Sequence, residues 1–362
     1  FILVERRRTP VATLAWLLAV IFIPVAGIIG YIVFGRTRMA RSSRRLQNVH
    51  AQVRRVLENY DILRAFLNTR QQVVDPRTPA LLRLGDRVST TPASDGNDCD
   101  LLVDGRATYA AMEAAITGAQ HHIHMEFYII RGDDTGRRFR DLLVERVAAG
   151  VEVRVIADAV GSVSLDEEFW DPLTVAGGHF QFFSPVNPLY RLRRPNRIDF
   201  RNHRKIIVVD GVVGFTGGIN IGNEYLGMDD SLGHWRDTHM RIRGPAVLAL
   251  QQAFAEDWLW TSDELLANRV YYPAPTPLEG EDTTVAIVDS GPDRNWMPIH
   301  RIHVQAIAMA RERVWITNPY FVPDKVMEES LVTAALRGVD VRLLLPEGGD
   351  VKLVSMASEA YF

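Results

Sequence analysis

A histidine and a lysine two residues apart precede an apolar run in the stretch FRNHRKIIVVDGVVGFTGGINIG, residues 200–222. If HRKIIVVD is a β-strand, alternate side chains share a face, so His203 and Lys205 point the same way. Near neutral pH an imidazole acts as nucleophile or acid–base group, and a fixed ammonium stabilises charge on phosphate oxygens. The alternative is an ordinary solvated strand end. The shared face favours chemistry at a phosphate ester.

Two glycines and an asparagine follow on the next predicted strand. Gly217 and Gly218 let backbone N–H groups approach an anion, and Asn220 offers a side-chain donor. On the same predicted strand, Asp210 would face the opposite side from His203 and Lys205. It is followed by Gly211, and an Asp-Gly pair is typical of a hairpin turn. That position favours a structural role for Asp210 over direct contact with substrate.

Predicted strands alternate with predicted helices from about residue 100 onward. DLLVDG, HHIHMEFYII and VEVRVIAD have the pattern of strands, and YAAMEAAITGAQ and GRRFRDLLVERVAAG have that of helices. This alternation predicts an α/β fold with a central sheet.

The same unit recurs later in the chain. VERVAAGVEVRVIAD (144–158) is echoed by VTAALRGVDVRLLLPEG (332–348), and AAITGAQHHIHMEFYI by AIAMARERVWITNPYFV. The two pairs of matching segments occur in the same order along the chain. They predict a duplicated fold with the active site between its two halves. The offset between Gly150 and Gly338 places a counterpart of His203 near position ~391. The sequence ends at Phe362 within this second repeat, so we expect a truncated chain that is inactive unless another chain supplies the second half.

Residues 9–35 carry no charged side chain, and a membrane-spanning helix needs roughly 20 mostly apolar residues. The stretch predicts a transmembrane helix; a signal peptide or a buried core helix is the alternative. Residues 1–4 could belong to an earlier span. More arginines follow the segment than precede it, which favours a cytoplasmic location for the rest of the chain at the bacterial plasma membrane.

Helical spacing of apolar residues from Leu46 to Phe66 predicts an amphipathic helix leading away from the membrane. Residues 71–97 are rich in Pro, Ser, Thr and Asp and are typical of a linker. The predicted organisation is an anchor (1–45), an amphipathic helix and linker (46–99), a first repeat (100–270) and the start of a second repeat (271–362).

Composition excludes several classes of protein. With 47% hydrophobic and 23% charged residues, the 362-residue chain is typical of an ordered globular protein. A net charge of −3 argues against a nucleic-acid partner, and the single Cys99 excludes an internal disulfide and a cysteine zinc site. His122 and His124 share a strand face, but no acidic third ligand stands at a diagnostic spacing, so no metal or cofactor is predicted.

The spacing His203-x-Lys205-x₄-Asp210 followed by Gly217-Gly218-x-Asn220 resembles the HKD motif of the phospholipase D superfamily. The resemblance narrows to the bacterial cardiolipin synthases over essentially the whole chain. The segments that resemble that family are TLAWLLAVIFIPVAGIIGYIVFGR, RNHRKIIVVDG, FTGGINIGNEYLG, HWRDTHMRIRGPAV, FAEDWLW and TNPYFVPD.

The resemblance implies a duplicated phospholipase D-like sandwich and metal-independent transfer of a phosphatidyl group. His203 would attack one phosphatidylglycerol, glycerol would leave, and the hydroxyl of a second phosphatidylglycerol would displace the histidine to give cardiolipin. The motif makes His203, Lys205 and Asp210 the catalytic group. A second motif, absent after His203 in this sequence, would supply the acid–base histidine.

Further residues are expected to bind phosphate or substrate. They are Gly217, Gly218, Asn220, Glu126 and Arg201. Glu126 either faces the site and orients an imidazole or is an ordinary strand glutamate. Arg201 belongs to an arginine-rich run that is either a solvated loop or a collector of anionic lipid.

Phosphatidylglycerol and anionic membrane lipids are the expected partners. The motif also suits a hydrolytic phospholipase D, or a membrane-tethered phosphodiesterase or nuclease. A membrane protein with a degenerate site and no enzymatic activity is the alternative from another class. The oligomeric state and the preferred acceptor alcohol stay open at this point.

Overall fold

The computed structural model describes residues 10–31, 39–69, 78–185, 201–228, 235–281, 283–291, 294, 296–346, 352–359 and 361. These residues form an eight-stranded mixed sheet and a separate pair of strands. The strands are β1 (Ser94–Val103), β2 (His122–Phe127), β3 (Glu152–Asp158), β4 (His179–Phe183), β5 (Ile206–Val209), β6 (Val213–Gly217), β7 (Thr238–Arg243), β8 (Thr283–Val285), β9 (Arg313–Thr317) and β10 (Asp340–Leu344). The helices are α1 (Pro10–Phe22), α2 (Pro24–Gly30), α3 (Met39–Asn59), α4 (Ile62–Thr69), α5 (Thr78–Val88), α6 (Asp104–Thr117), α7 (Asp134–Ala148), α8 (Asp171–Ala176), α9 (Val247–Ser262), α10 (Pro298–Met309), α11 (Lys325–Leu336) and α12 (Lys352–Glu359). The mixed α/β fold predicted from the sequence is confirmed.

The apolar N-terminal segment forms two short helices rather than the single span predicted over residues 9–35. Helix α1 ends before Ile23 and α2 begins at Pro24, because proline lacks an N–H and its ring clashes with the preceding turn. The rings of Trp16 and Tyr31 lie 5.6 Å apart, so α2 folds back along α1. A Cβ at Gly27 would collide with Ala19 O, so glycine permits this close approach. Among the described residues, no helix is long and apolar enough to cross a membrane.

The main sheet has a parallel half and an antiparallel half, in the strand order β4-β3-β2-β5-β6-β7-β1-β8. Strands β2, β3 and β4 are parallel, with α7 and α8 as crossovers, and the remaining pairs are antiparallel. The hairpin predicted between β5 and β6 is confirmed. At its turn Asp210 and Gly211 take φ values of 54° and 69°, which aspartate and glycine tolerate better than most residues.

Alternation along β2 divides the interior into two cores. Met125 and Phe127 join the core beneath α6 and α7, whereas His124 and Glu126 face the opposite side, where α9 packs. His124 Nδ1 lies 2.9 Å from the amide oxygen of Gln251 on α9, and its ring stacks on Phe254. The histidines that alternate along this strand are therefore placed on the α9 face.

Helix α3, predicted to lead away from a membrane anchor, packs against α9. Val49, Val53 and Leu57 are buried in a core shared with Phe254 and Trp258 of α9. The prediction of an amphipathic helix is confirmed, and the apolar face of α3 packs against the globular part of the protein.

Residues 78–97, predicted as part of a linker, form α5 and the beginning of β1. Strand β1 is held between β7 and β8, and Asp98 and Asp100 form ion pairs with Arg243 and Arg241 across the β1–β7 ladder. These cross-strand pairs account for the strand in a polar sequence. Residues 71–77 lie outside the described residues.

The second unit is built from α10, β9, α11 and β10, with its own small core around Phe321, Leu331 and Ala334. Strands β9 and β10 pair in parallel. The order helix, strand, helix, parallel strand is also that of α6, β2, α7 and β3.

Candidate active site

The histidine and lysine of the motif lie in a loop, residues 201–205, directly before β5. The strand was predicted to include both residues, but it begins at Ile206. Lys205 Nζ nevertheless lies 3.3 Å from His203 Nδ1 and donates to His203 O at 3.0 Å. The structure therefore brings together the two groups that the sequence paired.

Carboxylates from distant elements fix the backbone around His203. Asn202 N–H donates to Asp158 Oδ2 at 3.0 Å, and Asp158 is fully buried at the end of β3. Arg204 N–H donates to the side-chain oxygen of Asn202 at 2.9 Å. Both neighbours of His203 are anchored, while His203 itself is partly covered by the protein and keeps part of its surface open to solvent.

An aromatic ring covers one side of the pair. Tyr128, just after β2, places its ring 4.7 Å from the imidazole of His203, and Lys205 Nζ lies 5.7 Å from the same ring. Tyr128 therefore limits how the imidazole turns and shields the ammonium from water.

The surroundings shift the titration of both groups. Burial first, and the charge of Lys205 second, lower the pKa of His203 below its ordinary value of 6.5, against an opposing effect of Asp158. Burial lowers the pKa of Lys205 to about 8, with Asp237 opposing. Near neutral pH this arrangement favours a neutral imidazole beside a charged ammonium, which suits a nucleophile and an electrostatic partner.

Behind the loop lies a buried network of charged groups. Asn202 Nδ2 donates to Glu126 Oε1 and, at 2.9 Å, to Asp257 Oδ2. Arg204 pairs with Asp257 and, at 3.2 Å, with Asp289. Burial and then the charge of Asp257 raise the pKa of Glu126 well above its ordinary value of 4.5. Glu126 thus contacts the loop through Asn202 and not through the imidazole.

The two glycines at the end of β6, Gly217 and Gly218, lie against β7. A Cβ at Gly217 would meet the ring of His239 at 2.7 Å, and one at Gly218 would collide with the carboxylate of Asp237. The Gly218 N–H donates to Thr238 O at 3.0 Å, so it is committed to the protein and does not form an anion cradle. The glycines instead allow Asp237 and His239 to approach the site.

Asn220 also serves the fold. Its side-chain nitrogen donates to the Tyr225 hydroxyl at 2.6 Å, and its side-chain oxygen accepts from Ile129 N–H at 3.0 Å. With 4% of its surface exposed, Asn220 clamps the loop after β6 to the end of β2. Both hydrogen bonds of this amide are made to the protein scaffold.

Asp210 lies at the other end of β5 from His203. Its carboxylate accepts three backbone N–H bonds of 2.8 to 2.9 Å, from Gln120, His121 and His122 at the start of β2. Charge-assisted bonds of this kind fix where β2 enters the sheet. Asp210 therefore lies in the β5–β6 turn, as its position in the predicted strand favours, and it is separated from His203 and Lys205 by the length of β5.

Arg201 is held at the edge of the loop. It donates to Ser184 O at 3.2 Å, and its guanidinium lies 3.6 Å from Asp158. These contacts place Arg201 beside the site as a part of its scaffold.

The rings of His122 and His124 lie 4.7 Å apart in a tilted arrangement, and both residues are fully buried. Among the described residues, no group of three histidine, cysteine or acidic side chains is arranged to hold a metal ion. Burial lowers the pKa of His122 to about 4, so this pair is neutral and belongs to the α9 face of the core.

Sequence reasoning missed four residues of the site: Tyr128, Asp158, Asp237 and Asp257. Asp158 and Tyr128 follow apolar strand segments, and a polar residue at a strand end is a usable signal. Asp237 lay in a polar cluster with no assigned role, and Asp257 was hidden in a helix that reads as packed core. Burial raises the pKa of Asp237 above 3.8, in keeping with its place beside the buried lysine.

A cavity of about 460 Å³ borders the pair. His203, Lys205 and Gly217 form part of its wall, and residues of α3 and α9 form another part. The volume lies in the range of small-molecule sites, roughly 300–1,000 Å³. The reacting groups therefore border a partly open cavity.

Comparisons with known proteins agree with this geometry. Residues 112–258 and 303–362 match the family described as "Cardiolipin synthase, PLD-like domain", and residues 1–36 match "Phospholipase_D-nuclease N-terminal". The chain is 38% identical to the cardiolipin synthase of Alkalihalophilus pseudofirmus over 98% of its own length and 70% of that protein. It is 38% identical to the cardiolipin synthase of Geobacillus thermodenitrificans over 100% of its own length and 71% of that protein.

Among solved structures, the phosphatidylserine synthase of Haemophilus influenzae shares the fold, with a TM-score of 0.53 and 14% identity over 78% of this chain and 71% of that one. Fold likeness at this identity says nothing of activity. The family match covers more than half of the chain and includes the His203–Lys205 loop. The chain belongs to the cardiolipin synthase family of phospholipase D-like proteins.

Proposed function

We propose that this protein makes cardiolipin by transferring the phosphatidyl group of one phosphatidylglycerol to a second, with release of glycerol, and that this chain supplies the nucleophilic half of the site. The observation that carries the proposal is the 3.3 Å contact between His203 Nδ1 and Lys205 Nζ, in a chain of the cardiolipin synthase family. It places an imidazole that is neutral near pH 7 beside the cation that would hold the phosphate oxygens, the two groups that attack on a phosphodiester requires.

The reaction has two displacements at one phosphorus. In the first, the imidazole of His203 forms a P–N bond, the P–O bond to the glycerol headgroup breaks, and the departing oxygen takes a proton from an acid. In the second, a hydroxyl of the acceptor phosphatidylglycerol loses its proton to a base and attacks the same phosphorus, and the P–N bond breaks. Lys205 stabilises the nonbridging oxygens in both steps.

The acid and base roles belong, in this proposal, to an imidazole of a second motif carried by a second repeat. Support for a duplicated fold comes from the repeated order of helix, strand, helix and parallel strand in the α6–β3 and α10–β10 units. It also comes from the matching stretches around Gly150 and Gly338. One repeat would thus form the phosphatidyl intermediate and the other would move the protons.

The other predicted site residues support the loop in this scheme. Glu126 positions Asn202, and Arg201 borders Asp158. Gly217 and Gly218 leave room for His239 and Asp237 beside Lys205. Asp210 sets the register of β2 and acts on the site through the sheet.

We place the enzyme at the membrane, with the globular part in the cytoplasm. The side chains at the end of α1 and at the turn into α2 are apolar and exposed: Ile21 (67%), Phe22 (76%) and Ile23 (60%). Exposed apolar groups at a helix turn favour insertion among lipid chains. Phosphatidylglycerol and other anionic lipids would be the surface partners.

The test uses the full-length protein on vesicles of phosphatidylglycerol, with cardiolipin and free glycerol measured together. Wild type should form both products in equal amounts. His203→Gln should lower the rate by at least about 10³-fold, because it removes the nucleophile. His121→Gln is the matched control, since His121 is exposed and outside the site; it should keep the wild-type rate.

Other products would overturn the proposal in identifiable ways. Phosphatidic acid in place of cardiolipin would assign the hydrolytic phospholipase D reaction. No turnover by the wild type would favour a nonenzymatic role. Cardiolipin formation that survives His203→Gln would remove His203 from the chemistry.

A further inference from the structure

The cavity beside the reactive pair is a candidate binding site in its own right. At one end it is bounded by His203 and Lys205, the groups that would hold the phosphorus. Apolar side chains from several separate parts of the chain line much of the remaining wall, beside charged and polar ones. They include Leu46 and Val49 on α3, Leu250 and Ala253 on α9, Ile287 and Val288, and Ile299 on α10.

Several charged side chains on the wall have ion-pair partners, some of which lie outside the wall. Arg204 pairs with Asp257 and Asp289, and Glu256 accepts from Arg294 at 2.8 Å. Paired charges of this kind stabilise the wall without calling for a charged ligand. The apolar side chains therefore decide which kind of group the cavity accepts.

One wall of the cavity belongs to a helix, α3, that follows closely in sequence the segment that we place in the lipid. Helix α3, which contributes Leu46 and Val49, begins at Met39, eight residues after Tyr31 at the end of the apolar helix pair. Eight residues span at most roughly 29 Å, so α3, the helix that carries these wall residues, begins within that distance of the N-terminal helices.

We propose that this cavity binds the first part of one acyl chain of the phosphatidyl donor. The inference rests on the proposed function, because the phosphorus bound to His203 carries diacylglycerol on its other ester. An apolar chain attached to that phosphorus reaches the cavity that His203 borders. Each methylene taken from water into an apolar site strengthens binding roughly fourfold. The cavity would thus select phosphodiesters that carry acyl chains.

The test fills the cavity from α9 and compares two dissolved donors. Ala253→Phe and the milder Ala253→Leu occupy the space. Ala249→Phe is the matched control, because Ala249 lies on the same helix with the same 6% exposure but does not line the cavity. The donors are dihexanoyl phosphatidylglycerol below its micelle concentration and glycerophosphoglycerol, which has the same phosphodiester without acyl chains. Glycerol release is measured for both with the full-length protein.

We expect Ala253→Phe to lower kcat/KM for the acylated donor about tenfold more than for glycerophosphoglycerol, with Ala253→Leu between it and wild type. Ala249→Phe should leave the ratio of the two donors unchanged. An equal loss on both donors in Ala253→Phe, or the same change of ratio in Ala249→Phe, would overturn the proposal.

A second measurement does not depend on turnover. A phosphatidylglycerol with a photoactivatable diazirine near the start of one acyl chain should label peptides that contain Val49 or Ala253, and Ala253→Phe should weaken that labelling. Labelling confined to other peptides would reject the cavity as the acyl site. If wild type releases no glycerol from either donor, the proposed function fails, and the labelling pattern alone decides whether the cavity binds lipid.

Discussion

Lys205 Nζ lies 3.3 Å from His203 Nδ1. An imidazole can attack phosphorus through its other ring nitrogen, Nε2. When the ammonium donates to Nδ1, the neutral imidazole carries its proton on Nε2 and has no free lone pair there. A substrate phosphate changes this arrangement, because its oxygens compete with Nδ1 for the ammonium. We therefore expect phosphate binding to release this contact and free the imidazole for attack.

The pH profile follows from the shifts of these two groups. Activity needs His203 neutral and Lys205 charged, so kcat/KM should rise as pH passes the lowered pKa of His203 and fall as pH passes about 8, the pKa of Lys205. In Lys205→Arg the alkaline fall should disappear, because a guanidinium keeps its proton beyond pH ~12. Profiles from about pH 5 to about pH 10 check this. The same alkaline fall in both proteins would assign it to another group.

Glu126 should make stability depend on pH. Its pKa is raised in the folded chain, so its contribution to stability is full below the unfolded value of 4.5 and falls as pH rises toward the folded value. Glu126→Gln keeps an oxygen for Asn202 and removes the titration, so its free energy of unfolding should change less with pH between about 5 and 8. Urea unfolding at both pH values measures the difference. Parallel pH curves for variant and wild type would contradict the assignment.

Asp210 should matter for folding more than for the reaction. Asp210→Ala removes three N–H acceptors and places a less suitable residue at a φ of 54°, so it should cost about 2–4 kcal/mol of stability. Asp210→Asn keeps one acceptor and tolerates that φ, so it should cost less. Activity per folded molecule, measured below the unfolding transition, should stay within about threefold of wild type. A loss of about 10³-fold in a fully folded variant would place Asp210 in the chemistry.

Gly218 should tolerate no side chain. A Cβ there collides with the Asp237 carboxylate, so Gly218→Ala must displace Asp237 from its place near Lys205. We expect a cost of about 1–3 kcal/mol in stability and a lower kcat/KM. Gly85→Ala is the control, because it lies in α5 and its nearest neighbour would be 4.0 Å away. That variant should be neutral or more stable by up to about 1 kcal/mol. Equal behaviour of the two variants would refute the close approach.

Local patterns in the sequence were enough to predict the alternating strands and helices, the β5–β6 hairpin and the pairing of His203 with Lys205. These features depend on short-range rules: side-chain parity, the tolerance of Asp and Gly for positive φ, and the spacing of two groups in one loop. The same rules predicted that Asp210 lies in a turn, because it would face the opposite side of the strand from His203 and is followed by a glycine.

The tertiary structure decided what surrounds the reactive pair and which groups are free to bind substrate. Asp158, Tyr128 and Asp257 reach the loop from β3, from the end of β2 and from α9, and only the packing of the sheet brings them together. The tertiary structure also determines that the Asn220 amide and the Gly218 N–H form hydrogen bonds within the protein. The spacing of residues in the sequence does not predict such bonds, because their partners lie on other parts of the chain. The apolar cavity is a product of the same packing, because α3 covers α9 beside His203.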